Sequence, residues 1–288
     1  MNGELSQALA SHCQVDGMQR TPLEGLTINH SSFNKPRTSG VLQPAICVIG
    51  QARKQVFYGD SVYTYDPDHY LINSLTMPIE WEMRNVTATE PFLGFSLDID
   101  RTLVSQLMLE MDGQFNSPHT QPVSGIASAC ALTAPLRNAI LRLLQLLDNP
   151  MDVAILGPGL KREIFYEVLK GPHGNLLRNC VRNDSGANRI TPVVHFIEEN
   201  FHRALEVTEI ADVAGMSSSS LHEHFKQVTG LSPIQFVKSI RLHRARELLL
   251  GGRQASDAAY AVGYNSPSQF SREFKRFFGD SPRDVQAG

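Results

Sequence analysis

Ser268, Ser271, Arg272 and Lys275 stand at i, i+3, i+4 and i+7, a spacing that sets four side chains in one stripe along a helix, with Gln269 and Arg276 alongside. These residue types hydrogen-bond well to nucleic acid. Arginine can grip guanine O6 and N7 together, and glutamine can pair similarly with adenine, each good pair carrying about 1 to 3 kcal/mol of discrimination. Lys275 and Arg276 suit phosphate oxygens, which hold register without reading sequence. The same spacing occurs earlier at Ser219, His222, Glu223 and Lys226, where every member is again polar.

Each polar stripe has an apolar counterpart that must be buried if the polar one is to face outward. Leu221, Phe225 and Val228 fall at i, i+4 and i+7, and 49 residues on, the distance from Phe225 to Phe274, come Phe270, Phe274 and Phe277. The surrounding text echoes as well. SSSSLHEHFKQVTGLSP runs from Ser217 to Pro233 and SPSQFSREFKRFFGDSP from Ser266 to Pro282, so a duplicated unit is implied. Ahead of each copy, Glu209 to Gly215 and Asp257 to Gly263 spell a short alanine-rich helix closed by glycine. Each unit therefore reads as helix, tight turn, helix, over about 207–228 and 254–277.

The small residues have mechanical uses. Gly215 and Gly263 supply a backbone with positive φ at the turn, and Ser217 and Ser266 can cap the free amides of the reading helices. Ala211 and Ala259 allow close approach, Gly230 and Gly279 stop the reading helices, and Pro233 and Pro282 can open the next ones. Between the units, Pro233 to Leu250 predicts a rigid spacer helix with Ile234, Val237, Ile240 or Arg241, Ala245 and Leu248 on one apolar face. Two reading helices held in this way could enter successive major-groove segments on one side of a duplex.

Taken together, Ile210 and Ala211, SSSSLHEHFK, GLSP, IRLHRARELL, AYAVGYNSPSQFSREFKRFFG and the final SP give Arg189 to Gly288 a specific resemblance to the DNA-binding domain of the AraC/XylS family of bacterial transcription regulators. The resemblance implies a seven-helix domain with two helix-turn-helix units, double-stranded promoter DNA as target, and activation through contact with RNA polymerase. The family commonly has arginine where this chain has Glu223, so the acidic centre of the first reading helix either reads cytosine amines or contacts DNA weakly. Arg272 keeps the expected arginine. His222 and His224, at i and i+2, diverge by about 200° on a helix and cannot share a metal ion. His222 suits a DNA contact, and His224 is expected beside the core.

The chain has 288 residues, a formal net charge of −3 and 42% hydrophobic composition, long enough for two domains and too apolar for a disordered chain. Its C-terminal part is nearly neutral, so attraction to DNA rests on the local cluster of Arg272, Lys275 and Arg276 rather than on overall charge. Cys13, Cys47, Cys130 and Cys180 are scattered without CxxC spacing, which suggests reduced thiols rather than zinc sites or a disulfide framework. There is no apolar run of about 18 residues and the first residues are too polar for a signal peptide. A cytoplasmic location without a membrane partner is expected.

From Ala45 to Asp98 the period changes to that of strands: AICVIG, KQVFYG, SVYTYD, YLINS, IEWEMRNV and FLGFSLDI, separated by turn signals such as Gly59-Asp60 and Asp66-Pro67-Asp68. Short strands in series predict a barrel or sandwich. The text CVIGQARKQVFYGDSVYTYDPDHYLINSL is similar to the cupin-like N-terminal domain of one AraC-like subgroup, over roughly Lys35 to Asn183, with Ala52 where that subgroup commonly has glycine. By implication this domain binds a small effector and dimerises. Metal-dependent cupin enzymes use a His-x-His pair and a further His or Glu, but His69 is the only histidine within the predicted strands. Neither catalysis, cofactor nor metal is therefore expected. Cys47, Tyr63, Tyr65, His69 and Trp81 are the candidates for lining an effector pocket, Cys47 reading otherwise as a buried inert thiol.

Helical patterns follow at Arg101 to Met111, Ala134 to Leu147, Pro158 to Leu169, and a shorter piece through Leu176 and Leu177. Leu136, Ile140, Leu143 or Leu144, and Leu147 form a stripe that packs on the barrel or pairs with a second copy. Asn183 to Asn188, NDSGAN, reads as a polar linker.

The expected architecture is an α+β multidomain chain. Residues 1–34 form an N-terminal extension, 35–183 a cupin-like β-barrel with following helices that senses an effector and dimerises, 184–188 a linker, and 189–288 the all-α DNA-binding domain. The expected function is sequence-specific regulation of transcription in response to a small-molecule signal, with activation and a homodimeric form as what the resemblance implies and repression left open. A cupin-type metalloenzyme and a helical protein-protein scaffold are the rival readings.

Overall fold

The computed structural model describes residues 2–13, 15–58, 61–114, 127–181 and 189–287. In chain order the elements are α1 (Asn2–Ala10), β1 (Gly17–Arg20), β2 (Leu26–Ser31), β3 (Lys35–Leu42), β4 (Ala45–Gln51), β5 (Arg53–Tyr58), β6 (Ser61–Tyr65), β7 (His69–Asn73), β8 (Met77–Arg84) and β9 (Phe92–Asp98). Then come α2 (Arg101–Gln114), β10 (Ala127–Ala131), α3 (Ala134–Gln145), α4 (Pro150–Lys170) and α5 (Gly174–Asn179). The C-terminal part holds α6 (Ile190–Asn200), α7 (Val207–Val213), α8 (Ser218–Thr229), α9 (Pro233–Leu250), α10 (Ala255–Ala261), α11 (Pro267–Phe278) and α12 (Pro282–Ala287). Those are the seven helices that the family resemblance implies. The proposed linker at Asn183 to Asn188 and the Gly59-Asp60 turn lie outside the described residues.

The strands divide between a six-stranded sheet, in the order β1-β2-β9-β4-β7-β10, and a four-stranded sheet, β3-β8-β5-β6. The β-rich unit is therefore two stacked antiparallel sheets rather than a closed barrel. Strand β4 shows why: its run AICVI is buried at every residue, because the larger sheet is covered on both faces. Ile46, Val48, Ile72, Phe95 and Leu97 face the helices α1 to α5. Ala45, Cys47, Ile49 and Leu71 face the smaller sheet. Residues ahead of 35 belong to this packing, since Leu5 and Leu9 of α1 are fully buried and β1 and β2 edge the larger sheet.

Of the two readings of the α3 stripe the structure takes the packing within the unit, and one helix start is corrected. Leu136, Ile140, Leu143, Leu144 and Leu147 are all buried in the unit's own core, so that stripe offers nothing to a second copy. Helix α4 begins at Pro150, capped by the Asn149 side chain, and runs through Pro158, which the sequence reading places at a helix start. Pro150 takes that first position instead.

Helix α9 departs from the single apolar face expected of it. Phe236, Val237, Ile240, Leu242, Ala245 and Leu249 are buried in several directions, whereas Ile234 is 43% exposed. A helix packed by neighbours on both sides needs no polar flank. One set of contacts joins the first unit's core and a second set joins the aromatic core of the second unit. The N-terminal unit meets the first one: the Tyr58 hydroxyl donates to the Val228 carbonyl, and Arg101 donates to His195 Nε2 at 2.7 Å.

His243 of α9 is buried against the edges of Phe277 and Phe278 with its Nε2 unbonded. Burial, and secondarily the charge of Arg246, pushes its pKa down to about 4. The unfolded chain then binds more protons than the native one below the ordinary histidine value near 6.5, so stability is complete above that pH and falls toward pH 4. Urea unfolding should show a loss of about 2 kcal/mol between pH 7.5 and pH 5 that His243→Leu removes. An unchanged pH slope in the variant would assign the loss elsewhere.

Candidate nucleic-acid interface

The two helix-turn-helix units are built by the same local rules. Helix α7 is followed by Gly215, with φ of +60°, and the Met216 amide returns to the Ala211 carbonyl at 3.0 Å. Helix α10 is followed by Gly263, with φ of +88°, and the Tyr264 amide returns to the Ala259 carbonyl at 3.0 Å. Both are glycine caps that use up otherwise free carbonyls. The second turn carries one extra residue, Asn265, before its capping serine. Ser217 accepts from the Ser220 amide, Ser266 accepts from the Gln269 amide, and Gly230 and Gly279 close the reading helices at positive φ.

Burial of one flank turns the other outward. Leu221 and Phe225 of α8, and Phe270 and Phe274 of α11, have no exposed surface. Opposite them Ser219, His222, Glu223 and Lys226 are exposed and, with Ser218 and Val207, line an open groove. On α11, Ser268, Gln269, Arg272, Lys275 and Arg276 are exposed and Ser271 is half-buried. Two neighbours differ from expectation. His224 is exposed, its Nδ1 bonded to the Ser220 carbonyl at 2.8 Å, and Phe277 is 37% exposed while Phe278 packs inward instead. The i, i+4, i+8 series Phe270, Phe274 and Phe278 follows the buried face better than the i+7 position does.

Residues to which the pattern gave no polar role fix these helices. Arg241 of α9 donates to the carbonyls of Phe201 and Arg203, each at 2.7 Å, which ties the end of α6 to α9. Glu273 of α11 is bonded to Lys238, Tyr264 and Gln269. Its only sequence signal is the i, i+4 spacing from Gln269.

The effector-pocket candidates separate into two places. Cys47 and Tyr65 are buried between the two sheets, with Tyr63 and Trp81 half-buried against the same cluster. His69 is elsewhere: it is exposed at the start of β7, its Nδ1 2.8 Å from Asp66 Oδ1. The strand register aligns Lys54 with Tyr65 and Met83, and Val56 with Tyr63 and Trp81. Lys54, which the sequence reading passed over, therefore points inward with its Nζ 4.4 Å from the Trp81 ring centre. Burial lowers its pKa. Burial also pushes the Cys47 thiol up to about 11, against the pull of Lys54, and raises the other three cysteines as well, so these thiols are protonated and unreactive at neutral pH. Among the described residues, no group of three His, Cys, Asp or Glu side chains could hold a metal ion, and no helix is long and apolar enough to cross a membrane.

Two family profiles match: AraC-type transcriptional regulator N-terminus over residues 22–176, and helix-turn-helix domain over residues 210–288. The HTH-type transcriptional activator RhaS of Citrobacter koseri is 30% identical over 182 residues, 62% of this chain and 60% of the relative. RhaS of Escherichia coli is 33% identical over 106 residues, 36% of this chain and 38% of the relative. The chain thus spans less than two thirds of the curated relatives it matches. In fold it is similar to the apo form of a ToxT variant from Vibrio cholerae in which one lysine is replaced by alanine, with a TM-score of 0.62 at 11% identity over 93% of this chain and 99% of that one. Wild-type ToxT bound to an unsaturated fatty acid gives 0.61 at 13% identity, over 93% and 97%.

The glycines differ in what they tolerate. A Cβ at Gly263 would lie 2.5 Å from the His202 carbonyl oxygen, whereas at Gly279 it would meet nothing within 4 Å, and both have φ of +88°. Gly279→Ala should cost the backbone strain alone, about 1 to 2 kcal/mol. Gly263→Ala should cost clearly more in thermal unfolding; equal losses would contradict the close approach.

Proposed function

This chain belongs to the AraC-type transcriptional regulators, and from that premise we propose that it binds double-stranded promoter DNA with both helix-turn-helix units and controls transcription in response to a small effector. The observation that carries the reading is the repeated exposure of a hydrogen-bonding stripe on α8 and α11, each opposite a fully buried apolar one. It is a regulator rather than an enzyme, as its relatives are. Ser219, His222, Glu223 and Lys226 meet one groove segment, and Ser268, Gln269, Ser271, Arg272, Lys275 and Arg276 meet the next. Activation through RNA polymerase, a homodimeric working form and a cytoplasmic site of action complete the proposal.

The effector belongs between the two sheets. Cys47, Tyr63, Tyr65 and Trp81 belong to the cluster packed there, and Lys54 adds a basic group with no carboxylate partner among the described residues. An apolar molecule with an anionic end suits such a lining, which agrees with the fatty acid carried by ToxT.

Arg272→Ala should weaken binding to a duplex selected from a random pool by about 1 to 3 kcal/mol and relax one base preference. Lys275→Ala should weaken binding to all sequences and reduce the salt slope by about one. Unchanged affinity in the first or an unchanged slope in the second would remove that residue from the interface. For the effector, oleate should raise the thermal midpoint of the full chain and oleyl alcohol should not, with the oleate effect lost in Lys54→Met. Equal shifts in variant and wild type would place the anion elsewhere.

A further inference from the structure

The exposed amide of Gln269 is held by a carboxylate that is itself held by the body of the domain. Glu273, one turn further along α11, accepts from Gln269 Nε2 with its Oε1 at 3.3 Å. Its other oxygen, Oε2, accepts from Lys238 Nζ of α9 at 2.8 Å and from the Tyr264 hydroxyl in the turn at 3.0 Å. Tyr264 is buried and Glu273 is mostly so. Burial alone would raise the Glu273 pKa, but the bonds from Lys238, Tyr264 and Gln269 outweigh it and keep the group ionised.

The chemistry of the three groups fixes the direction of the glutamine amide. An ionised carboxylate only accepts hydrogen bonds, so it must face the amide nitrogen and not the amide oxygen. One of the two N–H groups is thereby occupied, and what remains for a partner is one donor and one acceptor. Adenine presents that complement in the major groove, with N7 as acceptor and N6–H as donor. Guanine presents two acceptors, O6 and N7, and would need the donor that Glu273 occupies. We propose that Glu273 is a positioning residue that, through Lys238 and Tyr264, locks Gln269 into an adenine-reading orientation and excludes guanine at that base. The inference rests on the reading of α11 as a DNA-contacting helix.

The first unit provides an internal contrast. At the same 49-residue offset, Gln269 and Glu273 correspond to Ser220 and His224. There the His224 ring bonds the Ser220 carbonyl and hydroxyl of its own helix. Base discrimination of this kind is thus confined to the second unit.

The test uses the full chain and a duplex selected from a random pool, with each base pair then replaced in turn and affinity measured at fixed salt. Wild type should prefer adenine to guanine by about tenfold or more at one position, within the usual range for a paired contact, and Gln269→Ala should abolish that preference. Glu273→Gln, which preserves shape but can donate as well as accept, should reduce the adenine-to-guanine ratio there several-fold while the salt slope and other positions stay as they were. Tyr264→Phe, which loosens the carboxylate without touching the glutamine, should give a smaller drop at the same position and covers the case in which Glu273→Gln folds poorly. A ratio unchanged in both variants, or a uniform loss across all four bases, overturns the positioning role while leaving DNA binding intact. Failure of the wild-type chain to select any duplex would overturn the functional reading itself, and this inference with it.

Discussion

The burial of aromatic and aliphatic side chains from α8 and α11 is the constraint on which the rest depends. Phe225, Phe270 and Phe274 have no exposed surface, and each such side chain contributes about 1.5 to 3 kcal/mol by leaving water. A helix whose one flank is so committed has no rotational freedom left, so the flank carrying Arg272 or Lys226 faces solvent as a consequence of packing. Helix α9 makes this true twice over. Buried on several sides, it serves the first unit with Phe236 and Ile240 and the second with Leu242 and Leu249, which fixes the two reading helices to one rigid body.

The polar contacts refine what the apolar ones establish. Arg241 gathers two carbonyls of the segment that follows α6, paired glycines shape the turn of each unit, and Glu273 ties a side chain of the outer face to the inner frame. In the N-terminal unit the larger sheet is covered on both faces, by helices on one and by the smaller sheet on the other. A polar group facing the second of these faces is costly unless something pairs with it. Lys54, resting on Trp81, is the basic group that faces this inter-sheet core, and the proposed effector would supply its missing partner.

Much of this was legible in the chain because the informative residues act locally. Serine caps, glycine caps and the i, i+4 spacing that sets Phe225 behind Leu221 and Phe274 behind Phe270 depend on a few neighbouring residues, so the duplicated units could be read down to single positions. Strands β4 to β9 were legible for the same reason, their turns being written in the sequence. The strands with weak alternation, β1, β2, β3 and β10, were not, since they are strands only by pairing with partners distant in the chain. The misassigned faces, at Ile234 and Phe277, and the α3 stripe whose two readings stayed open have one cause: periodicity states that a face is apolar but not which neighbour covers it. Lys54 and Glu273 were missed because their significance comes from inter-strand register and inter-helix contact, neither of which a local pattern contains.

The central claim is that two outward faces on one rigid frame engage a single duplex together. Guanine-methylation interference and hydroxyl-radical footprinting of the full chain on a selected duplex test it most directly. The proposed function predicts two protected major-groove segments on the same side of the DNA, about one helical turn apart, each lost on disrupting the corresponding reading helix. A single protected segment, or two on opposite sides of the duplex, would contradict it.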